Sequence, residues 1–129
     1  MAGFTVKNLM DVENAAAERG PGVDARFARK YLDSEHLGVS YFRYAAGFRA
    51  PMGHSHREQE EAYVVIAGSG LIRLDDEIVE LKQWDVVRVA PETVRGFEGG
   101  PEGLEMIAVG SDRPEGGDGV MAADWWVED

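Results

Sequence analysis

The sequence predicts a single all-β domain, either a β-sandwich or a closed barrel. Seven short runs of apolar or alternating residues are separated by turn signals rich in Gly, Asp and Ser, a spacing that is typical of strands in these folds. Sixteen glycines and five prolines among 129 residues favour many turns over long helices. The predicted strands are residues 25–31, 37–45, 61–67, 70–74, 77–81, 86–90 and 104–109.

A short helical segment is predicted ahead of the strands. Residues 11–20 contain three consecutive alanines, which favour helix, and Asp11 can cap the first turn. Gly20 and Pro21 then end it. We expect one or two helical turns here, and beyond them the helical period disappears.

The C-terminal part of the chain differs in composition. Residues 111–120 are rich in glycine and charged residues, as linkers are. We therefore predict a barrel domain over residues 1–110 and a linker with a C-terminal tail over residues 111–129. Trp125 and Trp126 in this tail need burial, so they either plug one end of the barrel or pack on a second subunit.

Charge and composition exclude several classes of function. The formal net charge of -11 repels phosphate backbones and anionic lipids, so nucleic acid and membrane surfaces are not expected partners. The chain has no cysteine, which excludes disulfides and thiolate chemistry. Residues 1–10 lack a secretory signal, and the longest apolar run, 62–67, is too short to cross a bilayer. A cytoplasmic protein is the expectation.

A His-x-His pair is the most informative local pattern. Side chains two apart on a strand point to the same face, so His54 and His56 can offer two imidazoles to one metal ion. A carboxylate at the start of the next strand would be a third ligand. Two histidines and one carboxylate suit Fe, Mn, Ni, Cu or Zn. The alternative is a pair of solvated histidines beside an exposed acidic run of Glu58, Glu60 and Glu61.

The segment from Gly47 to Gly68 resembles the first motif of the cupin superfamily. Cupins are small jelly-roll barrels. Its spacing from the closing Gly68 selects Glu61 as the motif's carboxylate, with Glu60 as the competing choice. The resemblance implies a cupin-type jelly-roll β-barrel with a short N-terminal helical turn and a tryptophan-containing C-terminal tail. It also implies His54, His56 and Glu61 as metal ligands.

The segment from residue 81 to 97 resembles the second cupin motif but departs from it twice. Trp84 stands where that motif has glycine, and Arg95 stands where it has the last metal-binding histidine. An arginine cannot ligate a metal, but it can pair with Glu61 or hold a carboxylate in a bidentate fork. His36 lies outside both motifs and has no predicted role.

Two functions follow from different classes. In the first, the barrel binds a small polar or anionic ligand through Arg95, Tyr63 and Phe97, and its metal site is degenerate. In the alternative, the resemblance implies a metal-dependent cupin enzyme of the oxygenase or isomerase class. Metal-free isomerisation by a neutral histidine is a minor third choice. Tyr63 and Phe97 share faces with Glu61 and Arg95 by the period of two, yet they can equally be plain core.

The cofactor prediction is either a divalent transition metal or none. The expected partners are a small-molecule ligand and a second copy of the chain. A homodimer is expected because small cupins commonly pair through their barrels, and because both chain ends have apolar surface to bury.

Overall fold

Eight strands, all paired antiparallel, form one curled sheet in the part of the chain that the structure describes. The structure is a computed structural model that describes residues 3–123 and 125–126. This architecture confirms the predicted all-β class. In chain order the strands are β1 (Val23–Phe27), β2 (Gly38–Tyr44), β3 (Gly53–His56), β4 (Glu61–Leu74), β5 (Glu77–Lys82), β6 (Val86–Val89), β7 (Arg95–Gly110) and β8 (Gly119–Ala122).

Within the described residues, helical structure is limited to short pieces. They are α1 (Arg29–Leu32) and two 3-10 turns, Leu9–Asp11 and Ala17–Arg19. Among the described residues, every helix is too short to reach across a membrane.

The N-terminal segment differs from the prediction at residues 11–20. Asp11 ends the first 3-10 turn and does not cap a helix, because Asn8 is the residue whose side chain accepts from the Met10 N–H. Asn14 then accepts from the backbone N–H groups of Ala16 and Ala25 through its side-chain oxygen. This side chain ties the segment to β1 and competes with a continuous helix.

The two longest strands, β4 and β7, pair along most of their length. The prediction of separate strands over 61–67 and 70–74 is wrong, because β4 continues through Gly68 as one strand, with register shifts against β7 and no turn. The prediction of a strand limited to 104–109 is also wrong, since pairing with β4 carries β7 back to Arg95. The predicted first strand, 25–31, is shorter, because Ala28 turns the chain into α1.

Gly68 is a position that requires glycine. Its φ is +74°, in the left-handed region, and a Cβ atom there would lie 2.0 Å from the carbonyl oxygen of Gly103. The register between β4 and β7 shifts on either side of Gly68, between Val65 and Ala67 and between Gly68 and Gly70, and the glycine lets the two strands approach closely there.

Trp84 has a related conformation without being glycine. Its φ is +73°, and its side chain is exposed. This explains why glycine is expected at the corresponding position of the second cupin motif: the turn before β6 needs a positive φ.

Aromatic side chains fill the interior between the two halves of the sheet. The ring of Phe97 stacks on Tyr44 at 5.8 Å between centroids and contacts Tyr63 at 4.9 Å. All three are buried and belong to the same apolar cluster as Leu104 and Met106. The core therefore reaches Tyr63, whose neighbour two residues earlier on β4 is Glu61.

The C-terminal segment packs against the barrel wall in this chain. β8 pairs with β3 over four residue pairs, whereas β3 and β7 share only the pair His54–Arg95. β3 therefore depends on β8 for most of its strand pairing.

Both tryptophans of the C-terminal tail, Trp125 and Trp126, lie near the same strands. A Cβ atom at Gly53 or Gly96 would lie within 2.7 Å of the Trp125 ring, and the Trp126 indole N–H donates to the carbonyl of Ala50. Because Arg95 and Phe97 point inward, Gly96 faces outward. Trp125 thus covers the outer face of β3 and β7, and the expectation that it plugs a barrel end is wrong.

Candidate metal centre

Three neighbouring strands bring together the side chains of the site. His54 and His56 lie on β3, two residues apart, and therefore project to one face of the strand. Glu61 is the first residue of β4, and Arg95 is the first residue of β7, directly opposite His54. Strand alternation aims all four side chains into the curled sheet.

His54, His56 and Glu61 form a group whose ligand atoms lie within 4.8 Å of one another. Oε1 of Glu61 is 3.2 Å from Nε2 of His56 and 3.7 Å from Nε2 of His54. Nitrogen and oxygen ligands about 2.1 Å from one ion lie about 3.0–3.6 Å from each other. The spacing of these three residues therefore fits a single transition-metal ion.

Four side chains converge on Oε1 of Glu61. Besides the two histidines, the Tyr63 hydroxyl donates to it at 2.6 Å and Nη1 of Arg95 lies 3.6 Å away. Burial alone would raise the pKa of Glu61, but His54, His56 and Tyr63 outweigh it and hold this pKa well below its usual range. Glu61 is therefore a carboxylate, the form that can bind a cation.

The Tyr63 hydroxyl, unlike the Glu61 carboxyl group, is held in its protonated state. Burial, followed by the adjacent charge of Glu61, raises the pKa of Tyr63 well above 10. The phenol thus keeps its proton and remains a donor to Glu61.

Arg95 is completely buried, at 0% exposure. Its Nη2 donates to the carbonyl oxygen of Ala90 at 2.8 Å, whereas Nε and Nη1 have no hydrogen-bond partner in the part of the chain that the structure describes. A buried guanidinium with unused N–H groups is unusual, since buried polar groups are generally paired. Nε and Nη1 of Arg95 therefore lie buried near Glu61, and Nη1 forms an ion pair with that carboxylate at 3.6 Å.

Asp118 lies against the candidate site, although no pattern in the sequence predicted it there. Its Oδ1 lies 2.8 Å from Nδ1 of His56, and its Oδ2 accepts from the backbone N–H groups of Glu58 and Gln59, each at 2.8 Å. Burial alone would raise the pKa of Asp118, but these donors lower it to about 2. The only sequence signal was an aspartate among glycines, which is ordinary in a linker.

His56 lies between two carboxylates. The adjacent Glu61, opposed by burial and joined by Asp118, raises the pKa of His56. Nε2 of this ring is buried and has no hydrogen-bond partner among the described residues. The unpaired nitrogen faces the side of the site where a cation would sit.

The remaining predicted residues lie in different surroundings. Glu60 is exposed and pairs with Arg88 at 2.7 Å, so Glu61 is the inward carboxylate and Glu60 is not. His36 is a surface residue beside Asp112. Phe97 belongs to the buried apolar cluster and contacts the site through the Tyr63 ring.

Comparisons with known proteins identify the fold. No family model matches the chain. An uncharacterized protein of Methanocaldococcus jannaschii is 38% identical over 45 residues, 35% of this chain and 36% of that protein, so the match spans about a third of the relative's length.

Several solved structures resemble most of the chain. A cupin protein from Bacteroides fragilis matches with a TM-score of 0.72 and 22% identity over 89% of each chain. The polyketide cyclase RemF from Streptomyces resistomycificus matches with a TM-score of 0.71 and 20% identity, over 97% of this chain and 88% of RemF. These likenesses confirm the predicted cupin-type fold.

Proposed function

We propose that this cupin-fold protein binds a small anionic molecule through Arg95, next to a divalent transition-metal ion held by His54, His56 and Glu61. The observation that carries the proposal is the guanidinium of Arg95, which is fully buried beside the three ligands and whose Nε and Nη1 have no hydrogen-bond partner among the described residues. At the position where the second cupin motif has its last metal-binding histidine, this chain has Arg95, whose positive charge is fixed.

The donor set of the site suits a transition metal. Two imidazoles and one carboxylate are ligands for Fe, Mn, Ni, Cu and Zn. A divalent metal, when bound, acts as a Lewis acid toward an oxygen atom of the bound molecule. His54, His56 and Glu61 hold that ion, while Arg95 orients the anion.

The charges of the site favour an anion over a neutral ligand. Glu61 and Asp118 contribute two negative charges, whereas Arg95 and a divalent ion contribute three positive charges. With neutral imidazoles, one positive charge is left over. A carboxylate can balance that charge and pair with the planar fork of the arginine.

Elemental analysis of protein purified without a histidine tag tests the metal. The expected result is a near-stoichiometric divalent transition metal that is lost in His54→Ala and retained in His36→Ala, the control at the surface. A wild-type protein that neither contains nor takes up such a metal would contradict the proposal.

Titration calorimetry with oxalate and acetate tests the anion site in the metal-loaded protein. Arg95→Lys keeps the charge but loses the fork, so the affinity for a carboxylate should fall at least several-fold. Arg88→Lys, at the exposed pair with Glu60, is the matched control and should bind like wild type. Equal affinities in wild type and Arg95→Lys would show that Arg95 does not bind the carboxylate.

A metal-dependent enzyme of the oxygenase or isomerase class is the second candidate. It is favoured by the likeness to RemF, which is named as an enzyme and matches over nearly the whole chain. Because the same fold supports many activities, likeness alone does not decide between the two. Recovery of the bound anion unchanged after incubation with iron-loaded protein and dioxygen would favour the binding protein. A changed or consumed anion would favour the enzyme.

A further inference from the structure

We infer that Asp118 is a positioning residue of this centre: its carboxylate fixes the proton of His56 on Nδ1 and so directs the lone pair of Nε2 toward the metal. The inference rests on the proposed metal site and deepens it. It concerns a residue outside both recognised motifs, in a segment whose composition predicts a linker.

Both carboxylate oxygens of Asp118 have hydrogen-bond partners. The residue is 6% exposed, and Oδ1 lies 2.8 Å from Nδ1 of His56. Oδ2 accepts from the N–H groups of Glu58 and Gln59. An ionised carboxylate only accepts hydrogen bonds. Both ring nitrogens of His56 face a carboxylate, but among the described residues only Nδ1 lies in a hydrogen bond, at 2.8 Å, whereas Nε2 is 3.2 Å from Oε1 of Glu61 and has none. Nδ1 is therefore the nitrogen that carries the proton of the neutral ring.

This proton placement determines the state of the other ring nitrogen. A neutral imidazole has one N–H, so a proton on Nδ1 leaves a lone pair on Nε2. Nε2 of His56 is buried, has no hydrogen-bond partner among residues 3–123 and 125–126, and lies 3.2 Å from Oε1 of Glu61. A lone pair facing a carboxylate oxygen is repulsive unless a cation lies between them. A carboxylate behind a metal-binding histidine orients the ring and raises its basicity in the same way.

Asp118 also positions the chain between two of the ligands. The N–H groups that it accepts belong to Glu58 and Gln59, in the turn that connects His56 with Glu61. The next residue, Gly119, begins β8 and pairs with His56. One carboxylate from the C-terminal segment therefore holds both a ligand ring and the turn that leads to the next ligand.

Asp118→Asn in the full chain separates these two roles. The amide oxygen can take the place of Oδ2 and keep both hydrogen bonds from the turn, which puts the NH2 group next to Nδ1. An NH2 group donates, so it forces the proton of a neutral His56 onto Nε2, where the lone pair is needed. The turn is kept while the tautomer is reversed.

The measurements are long-range 15N–1H correlation of the histidine rings in metal-free protein, at a pH where the ring is neutral, and titration with Co²⁺. Wild type should show the Nδ1–H tautomer of His56, and Asp118→Asn the Nε2–H tautomer. The dissociation constant for Co²⁺ should rise about 10–100-fold in the variant. Asp112→Asn, which alters the exposed carboxylate next to His36 in the same segment, should change neither.

The outcomes distinguish the inference from the proposed function. Wild type that binds Co²⁺ no more tightly than Asp118→Asn overturns the inference alone. Wild type that binds no Co²⁺ overturns the proposed function, and the inference with it. The wild-type spectrum is a test that needs no folded variant, because an Nε2–H tautomer of His56 in the metal-free protein would overturn the inference directly.

Discussion

The hydroxyl of Tyr63 donates a 2.6 Å hydrogen bond to Oε1 of Glu61, the same oxygen that faces Nε2 of His56. Tyr63 is 1% exposed, and its ring contacts Phe97 in the apolar cluster. One side chain thus joins the core of the barrel to the candidate metal centre, and core packing fixes the position of the Glu61 carboxylate.

Replacing Tyr63 with phenylalanine should destabilise the protein while keeping the ring packing. The change removes a hydrogen bond to a charged, half-buried carboxylate, so we expect a loss of about 1.5–3 kcal/mol in the free energy of unfolding, measured by urea denaturation. Tyr31→Phe, on α1 outside the site, should be nearly neutral. Equal stability of Tyr63→Phe and wild type would mean that the hydroxyl contributes nothing to holding Glu61.

Glu61→Gln and Glu60→Gln should differ in metal content. Glu61 lies within reach of both imidazoles, whereas Glu60 is exposed and pairs with Arg88. Elemental analysis should therefore find metal lost in Glu61→Gln and retained in Glu60→Gln. Loss in both variants would point to a general effect of the acidic turn and not to a ligand at residue 61.

Gly68→Ala should strongly destabilise the barrel. The φ of +74° disfavours any side chain, and the added methyl group would meet the backbone oxygen of Gly103 at 2.0 Å. We expect a loss of about 2–4 kcal/mol in thermal or urea unfolding. The matched control is Gly119→Ala on β8, where a Cβ atom meets nothing within 4 Å. Similar losses in both would contradict the close approach of β4 and β7.

Gly96→Ala should displace Trp125 from the outer face of the sheet. An added Cβ atom would lie 2.5 Å from the indole ring, which stacks under the guanidinium of Arg73 at 4.4 Å. Fluorescence with an emission maximum shifted to longer wavelength is expected, because the indole becomes more exposed to water. An unchanged spectrum would show that Trp125 does not pack there in solution.

The homodimer remains a prediction. Large apolar side chains are exposed in the described chain, among them Phe4 at 77% and Val6 at 82%. Such surface is commonly covered by a partner. Light scattering at micromolar concentration should return twice the chain mass of 14.2 kDa, and a monomer mass would contradict the expectation.

The local sequence pattern was enough to predict the all-β class and the placement of His54 and His56 on one strand. His54 and His56 are two residues apart, so their shared face follows from strand geometry alone. The choice between Glu60 and Glu61 required the structure, because a bulge of one residue would exchange them. The burial of Arg95 could be anticipated from its place in the second motif, but its unpaired N–H groups could not.

Long-range register explains what the sequence did not reveal. β8 pairs with β3 across more than sixty residues, and only this pairing brings Asp118 to His56. The glycines around Asp118 look like a linker when read locally. The same applies to β7, which continues through a glycine-rich stretch because β4 is paired beside it. Local composition reports only on residues that are adjacent in sequence. These contacts form between residues that are far apart in sequence and adjacent in space.

Diffraction from crystals soaked with Mn²⁺ or Co²⁺, collected at the absorption edge of the metal, tests the central proposal most directly. The proposal predicts one strong anomalous peak within about 2.0–2.3 Å of Nε2 of His54, Nε2 of His56 and Oε1 of Glu61. Crystals that show no peak among these three atoms, or show it at surface carboxylates instead, would contradict a metal centre in this barrel.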